Sequence, residues 1–88
     1  LKLIKFGTQW CAPCKQMTKE LEAISKEFGK DLIIEEVDAQ KDPRSNVWGV
    51  MSVPMLFLLR GEKHLECWRG FTSAQTIIPT IQSYMVGS

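Results

Sequence analysis

The sequence contains no basic block, no internal repeat, no low-complexity stretch and no apolar run long enough to span a bilayer. Each absence removes a class of function. Eleven Lys and Arg against ten Asp and Glu leave a formal net charge of +1, so no charge pattern draws the chain to nucleic acid or an anionic membrane. No segment resembles a signal peptide, and a reducing, cytoplasmic setting is expected. Leu1 is not an initiator Met and reads as a trimmed N-terminus, whereas Gly87-Ser88 reads as an expression remnant. An even, dispersed set of cysteines is also missing. Three cysteines do not make a disulfide scaffold.

What is present fits one domain over residues 1–86. At 88 residues, 44% hydrophobic and 24% charged, the chain is too short for two cores and too apolar for disorder. Folding at this length buries roughly 60 to 65% of the unfolded surface, so a core forms without several staples.

Apolar period and punctuation give the elements. Leu3–Phe6, ending at Gly7, reads as a buried strand carrying one charge, Lys5. Met17, Leu21, Ile24 and Phe28 recur at helical spacing until Gly29. Leu32–Asp38 reads as a second strand, and the helix between the two predicts a parallel, right-handed βαβ unit. Asp42-Pro43 predicts an N-cap and first-turn proline for a short helix through Trp48. Met55–Leu59 and Lys63–Arg69, joined at Gly61, predict an antiparallel hairpin. Thr72 and Gln75 have capping-box spacing for a last helix that Pro79 kinks or shortens. The order is βαβ then αββα.

Two cysteines sit as Cys11-Ala12-Pro13-Cys14. A bridge across so short a loop removes little unfolded-state entropy, so the spacing points to chemistry or metal binding. At the start of the first helix, Cys14 shares the buried face of Met17 and Leu21, while Cys11 meets the unpaired N–H groups and positive dipole end that favour a thiolate. Residues three apart on a helix are about 5 to 6 Å from each other, within disulfide range. An exposed nucleophile, Cys11, and a buried resolving group, Cys14, follow, working through a mixed disulfide. Pro13 is a tolerated first-turn proline that also stiffens the pair.

Trp10-Cys11-Ala12-Pro13-Cys14-Lys15 resembles the thioredoxin active-site motif, with Ala12 in place of the usual glycine. Val53-Pro54 is similar to that family's cis-proline segment, Gly70 to a glycine lining its substrate groove, and Asp42-Pro43 and Gly49 to its turn residues. The similarity runs from about Leu3 to Met85, without the first strand and helix that ordinary thioredoxins carry. It implies an α/β thioredoxin-like fold in its minimal βαβ–αββα form, a central mixed four-stranded sheet flanked by three helices. It further implies a protein-disulfide reductase whose only redox group is the Cys11–Cys14 pair, with no cofactor and no metal. The expected partners are disulfide-bearing client proteins and, as electron donor, thioredoxin reductase or another thiol reductant; the chain is expected to be a monomer. Trp10, Ala12, Val53, Gly70 and Phe71 are the expected substrate-binding residues and Pro54 the cis-proline facing the site.

Several departures bear on specificity and redox poise. Gly7 stands in place of a second tryptophan, Met55 in place of a threonine and Phe71 in place of a small groove residue. Lys5 occupies the position of the buried aspartate that assists Cys14, and Glu36 that of its lysine partner, so the ion pair looks inverted. Lys5 is then a proton or charge partner of Cys14, with Glu36 as its own partner. Two other readings stand beside the enzyme: a binding subunit that uses the groove without turnover, and a zinc domain with Cys11, Cys14, His64 and Cys67 as ligands. Taken singly, Cys67 is expected as a partly buried structural thiol, His64 as a solvated strand residue and Trp48 as core.

Overall fold

The fold is that of a computed structural model describing residues 1–86; the remnant expected at Gly87-Ser88 lies outside the described residues. Its centre is the first strand, β1 (Lys2–Gly7), buried from Leu3 onward. Both of its edges are paired. β2 (Ile33–Asp38) runs parallel on one side and β3 (Met55–Arg60) antiparallel on the other, with β4 (Lys63–Arg69) outside β3, giving the order β2-β1-β3-β4. The helices are α1 (Ala12–Phe28), α2 (Arg44–Val47) and α3 (Ala74–Val86). This is the mixed four-stranded sheet with three helices that the sequence implies.

Alternation along β1 divides the core in two. Leu3 joins Leu56, Leu58, Met17, Leu21, Ile24, Ile77 and Ile81 under α1 and α3. Ile4 and Phe6 point the other way, to Met55, Phe57 and Leu59, with Trp48 packed on that cluster. Phe6, Trp48 and Phe57 meet edge to face at 5.2 to 5.6 Å between ring centroids. Trp48, expected as core, is partly buried against this cluster. Because Lys5 lies between Leu3 and Gly7 on the same face, its side chain is committed to the space beneath α1. The parallel register sets Glu36 directly beside it on β2.

Several local expectations are corrected. The last helix is capped by Ser73, not by a Thr72/Gln75 box: Ser73 Oγ accepts from Thr76 N at 3.3 Å, while the Thr72 hydroxyl turns back to Gly70 O. The Ala74 N–H is taken by Glu20 Oε1 of α1 at 2.8 Å, a tertiary cap that no local spacing encodes. Pro79 lies within α3 at an exposed position, and the helix runs on past it to Val86. Cys67 is exposed rather than partly buried; its register partner Phe57 puts it on the face that carries only α2. The start of α2 is shifted by one residue: Pro43 is its N-cap rather than its first helical residue, the helix ends at Val47, and Asp42 lies before the cap, its Oδ1 accepting from Arg44 N at 2.9 Å. The Arg44 guanidinium also bonds the Asp42 carboxylate and Glu35 Oε2, and these bonds hold both carboxyls below their usual range.

Candidate active site

Cys11 is the N-cap of α1, with extended backbone, and its sulfur accepts from Cys14 N at 3.1 Å. That is the place of a serine or aspartate cap, filled by sulfur. Ala12 and Pro13 form the exposed first turn, and proline there costs no helical hydrogen bond because its N–H would be unpaired anyway. Cys14 is 2% exposed and lies on the face of Met17 and Leu21. The two cysteines are joined in a disulfide with Cα atoms 5.2 Å apart, within the separation a bridge tolerates. One sulfur is accessible and the other covered. That asymmetry makes Cys11 the sulfur that an incoming molecule can reach.

The chain returns to this helix tip twice. The Val53–Pro54 bond is cis, Pro54 is buried, and the Val53 carbonyl oxygen lies 3.8 Å from the Cys11 sulfur. Gly70, at φ +76°, donates its N–H to Pro54 O at 2.8 Å, so the loop after β4 is tied to the loop before β3. Phe71 follows it and is 48% exposed, and Trp10, before Cys11, is 81% exposed. Large aromatic surfaces left in water, one adjoining Cys11 in the chain and the other adjoining the Gly70–Pro54 tie, offer contact area to an extended segment. Met51 on the same loop as Val53 is also exposed. Sequence reasoning passed over it; an apolar residue in a Gly- and Ser-punctuated loop was the available signal.

Beneath Cys14 lies the one charged side chain among the described residues that the fold buries. Lys5 is 5% exposed. Its Nζ donates to Cys14 O at 2.7 Å, Thr18 Oγ1 at 2.8 Å and Glu36 Oε2 at 3.2 Å. Three protons have three acceptors. A cavity of about 320 Å³, lined in part by Lys5, Gly7, Cys14, Thr18, Glu36 and Asp38, opens this cluster to one side. Gly7 is what lets Lys5 and Cys14 come together: a Cβ there would stand 3.2 Å from Cys14 Cβ, Cys14 Sγ and Lys5 Cε. Thr18 was not singled out from the sequence, although it follows Cys14 by one helical turn and so shares its face.

The zinc set is not assembled. The His64 ring packs edge-on against Trp48 and Phe57 at 4.5 and 5.4 Å, and Cys67 is on the same strand, so neither reaches the helix tip. Among the described residues no group of three or more His, Cys, Asp or Glu could hold a metal ion, and no helix is long and apolar enough to cross a membrane.

Comparison with known proteins agrees with this geometry. The family model described as Thioredoxin matches residues 1–83. Thioredoxin of Chlamydia trachomatis is 34% identical over 85 residues, 96% of this chain and 82% of the relative. Thioredoxin of Listeria monocytogenes is 30% identical over 86 residues, covering 97% and 84%. Among solved structures, thioredoxin-2, a component of the malaria parasite protein secretion machinery, superposes with a TM-score of 0.88 at 25% identity, over 93% of this chain and 81% of that one. The germline-specific thioredoxin Deadhead of Drosophila melanogaster shares the fold, with a TM-score of 0.83 at 19% identity over 93% and 78%.

Proposed function

The chain belongs to the thioredoxin family and is a thiol–disulfide oxidoreductase, and on that premise we propose how its residues divide the reaction. In the reduced protein the Cys11 thiolate attacks one sulfur of a client disulfide. A Cys11–client S–S bond forms, the client's own S–S bond breaks, and the released sulfur takes up a proton. The Cys14 thiol then loses its proton to solvent and attacks Cys11 Sγ. The mixed disulfide breaks, the second client sulfur leaves reduced, and the Cys11–Cys14 bond carries the two oxidising equivalents. Trp10, Ala12, Val53, Pro54, Gly70 and Phe71 form the surface that receives the client, and Pro13 stiffens the pair.

The observation that carries this reading is the disulfide at the N-terminus of α1 with one sulfur accessible and the other buried. Thioredoxin reductase or another thiol donor returns the pair to the dithiol. A monomer in the cytoplasm suits the exposed, unbridged Cys67, because free surface thiols persist in reducing compartments. No metal or organic cofactor takes part. Insulin reduction tests the assignment: Cys11→Ser abolishes turnover, and Cys14→Ser accumulates a mixed disulfide through Cys11. Full turnover by Cys11→Ser, or no trapped adduct with Cys14→Ser, overturns it.

A further inference from the structure

We propose that the buried Lys5 ammonium is a positioning residue that sets the redox poise of the pair through Cys14, drawing the Cys11–Cys14 disulfide toward its reduced form, with Glu36 moderating the effect. This rests on the redox reading of Cys11 and Cys14 and concerns what tunes that chemistry.

Placement comes first. Lys5 stands on the sheet face covered by α1, and strand register sets Glu36 beside it, so the pair follows from the backbone and not from the reach of two flexible surface chains. The ammonium is held by the carbonyl of Cys14 itself, 2.7 Å away. A Gly at position 7 leaves Lys5 Cε and Cys14 Sγ both within 3.2 Å of one point, where a Cβ would sit. Positive charge and the resolving sulfur thus share one small space.

The sign follows from exposure. Lys5 is almost entirely out of water, whereas the Glu36 side chain is 44% exposed. A charge at the surface is screened by solvent, and one inside is screened far less. The field at Cys14 therefore carries more of the ammonium than of the carboxylate. Two further charged groups line the same cavity with opposite signs, Lys15 on α1 and Asp38 on β2. Lys15 is exposed and adds to the sign of Lys5. The Oδ1 of Asp38 is engaged by Gln40 N at 2.9 Å. On β3 the register partner of Lys5 is the apolar Leu56. A positive field stabilises a Cys14 thiolate and leaves the uncharged disulfide unaffected. It therefore favours reduction and speeds the resolving attack.

Two substitutions in the full chain separate this from a structural ion pair. Lys5→Met keeps length and removes the charge, and Glu36→Gln keeps size and removes the counter-charge. Equilibrate wild type and both variants with reduced and oxidised glutathione, then trap and quantify the dithiol fraction. The expected result has opposite signs. Lys5→Met lowers the reduction equilibrium constant by about five- to tenfold, up to about 30 mV for a two-electron couple, and Glu36→Gln raises it by a smaller factor. In a Cys11→Ser, Cys67→Ser background, Lys5→Met should also move the pH profile of Cys14 alkylation to higher pH. If Lys5→Met does not fold, Glu36→Gln decides alone, because its site is half solvated. Constants that stay within twofold of wild type in folded variants, or shifts of one common sign, overturn the role of Lys5 and leave the cysteine chemistry standing. Failure of the wild type to exchange with glutathione at all overturns the redox reading itself, and this one with it.

Discussion

The carbonyl oxygen of Val53 stands 3.8 Å from the sulfur of Cys11, across 42 residues of sequence. An extended client segment passing the sulfur can therefore use this backbone as a pairing edge, as peptides do at strand edges elsewhere. The aromatic surfaces of Trp10 and Phe71 would then take up its side chains. Trp10→Ala is expected to lower kcat/KM for insulin by about three- to tenfold, which corresponds to roughly 1 kcal/mol of lost aromatic contact. Ellman's reagent, too small to span the groove, should be reduced at nearly the wild-type rate. Equal losses with both substrates would place Trp10 in the sulfur chemistry instead.

Gly70 couples the groove to the fold. Its φ of +76° is in the left-handed region, and an added Cβ would meet nothing within 4 Å, so a substitution acts through the backbone alone. Gly70→Ala is expected to cost roughly 1 kcal/mol of stability in a urea titration, from the strain that any side chain brings to positive φ. The Gly70 N–H bond to Pro54 O transmits the strain to the Val53 segment. Insulin turnover should therefore fall by more than the unfolded fraction explains, and turnover that merely follows that fraction would show the tie to be silent.

The legible features were those set by local spacing. The cysteine pair at a helix start, the buried face that separates Cys14 from Cys11 and the element order follow from period and punctuation, and the βαβ rule makes the strands of Lys5 and Glu36 neighbours; that these two residues face each other was implied only by the resemblance to the thioredoxin motif. Features decided by packing between distant segments were not legible. Thr72 and Ser73 are neighbouring hydroxyls, and which one caps α3 depends on how the loop after Gly70 meets α1. Cys67 alternates with its neighbours in or out of water according to which sheet face a helix covers. Thr18 matters because a lysine from another element arrives opposite it.

The contact between α1 and α3 makes the third prediction. Glu20 Oε1 accepts from the Ala74 N–H at 2.8 Å, satisfying a first-turn donor of α3 and placing negative charge at its positive end. Glu20→Ala should destabilise the protein by about 0.5 to 2 kcal/mol, the range of a lost N-cap. Glu20→Gln, which keeps an acceptor, should recover part of that. Chemical denaturation of the two variants measures the difference, and identical midpoints for Ala and wild type would mean that water or Ser73 serves the N–H equally well.

Arg44 supplies a pH dependence whose sign can be fixed in advance. Its side-chain bonds lower the Asp42 and Glu35 carboxyls in the folded state, while in the unfolded chain such groups titrate at about 4. A depressed carboxyl binds fewer protons when folded, so its contribution is fully present above the unfolded value and is lost as pH falls through the folded one. Stability should therefore decline below about pH 4.5 in part because these two groups take up protons and release Arg44. Both sites are near the surface, so the contribution is small and shrinks with salt. Arg44→Gln tests it: the difference between the urea midpoints of wild type and variant should be largest near pH 7 and narrow steadily as pH falls below about 4. A gap that does not narrow with acid would assign the effect to the packing of Arg44 over Trp48, 5.5 Å from its ring centre, which does not depend on the carboxylates.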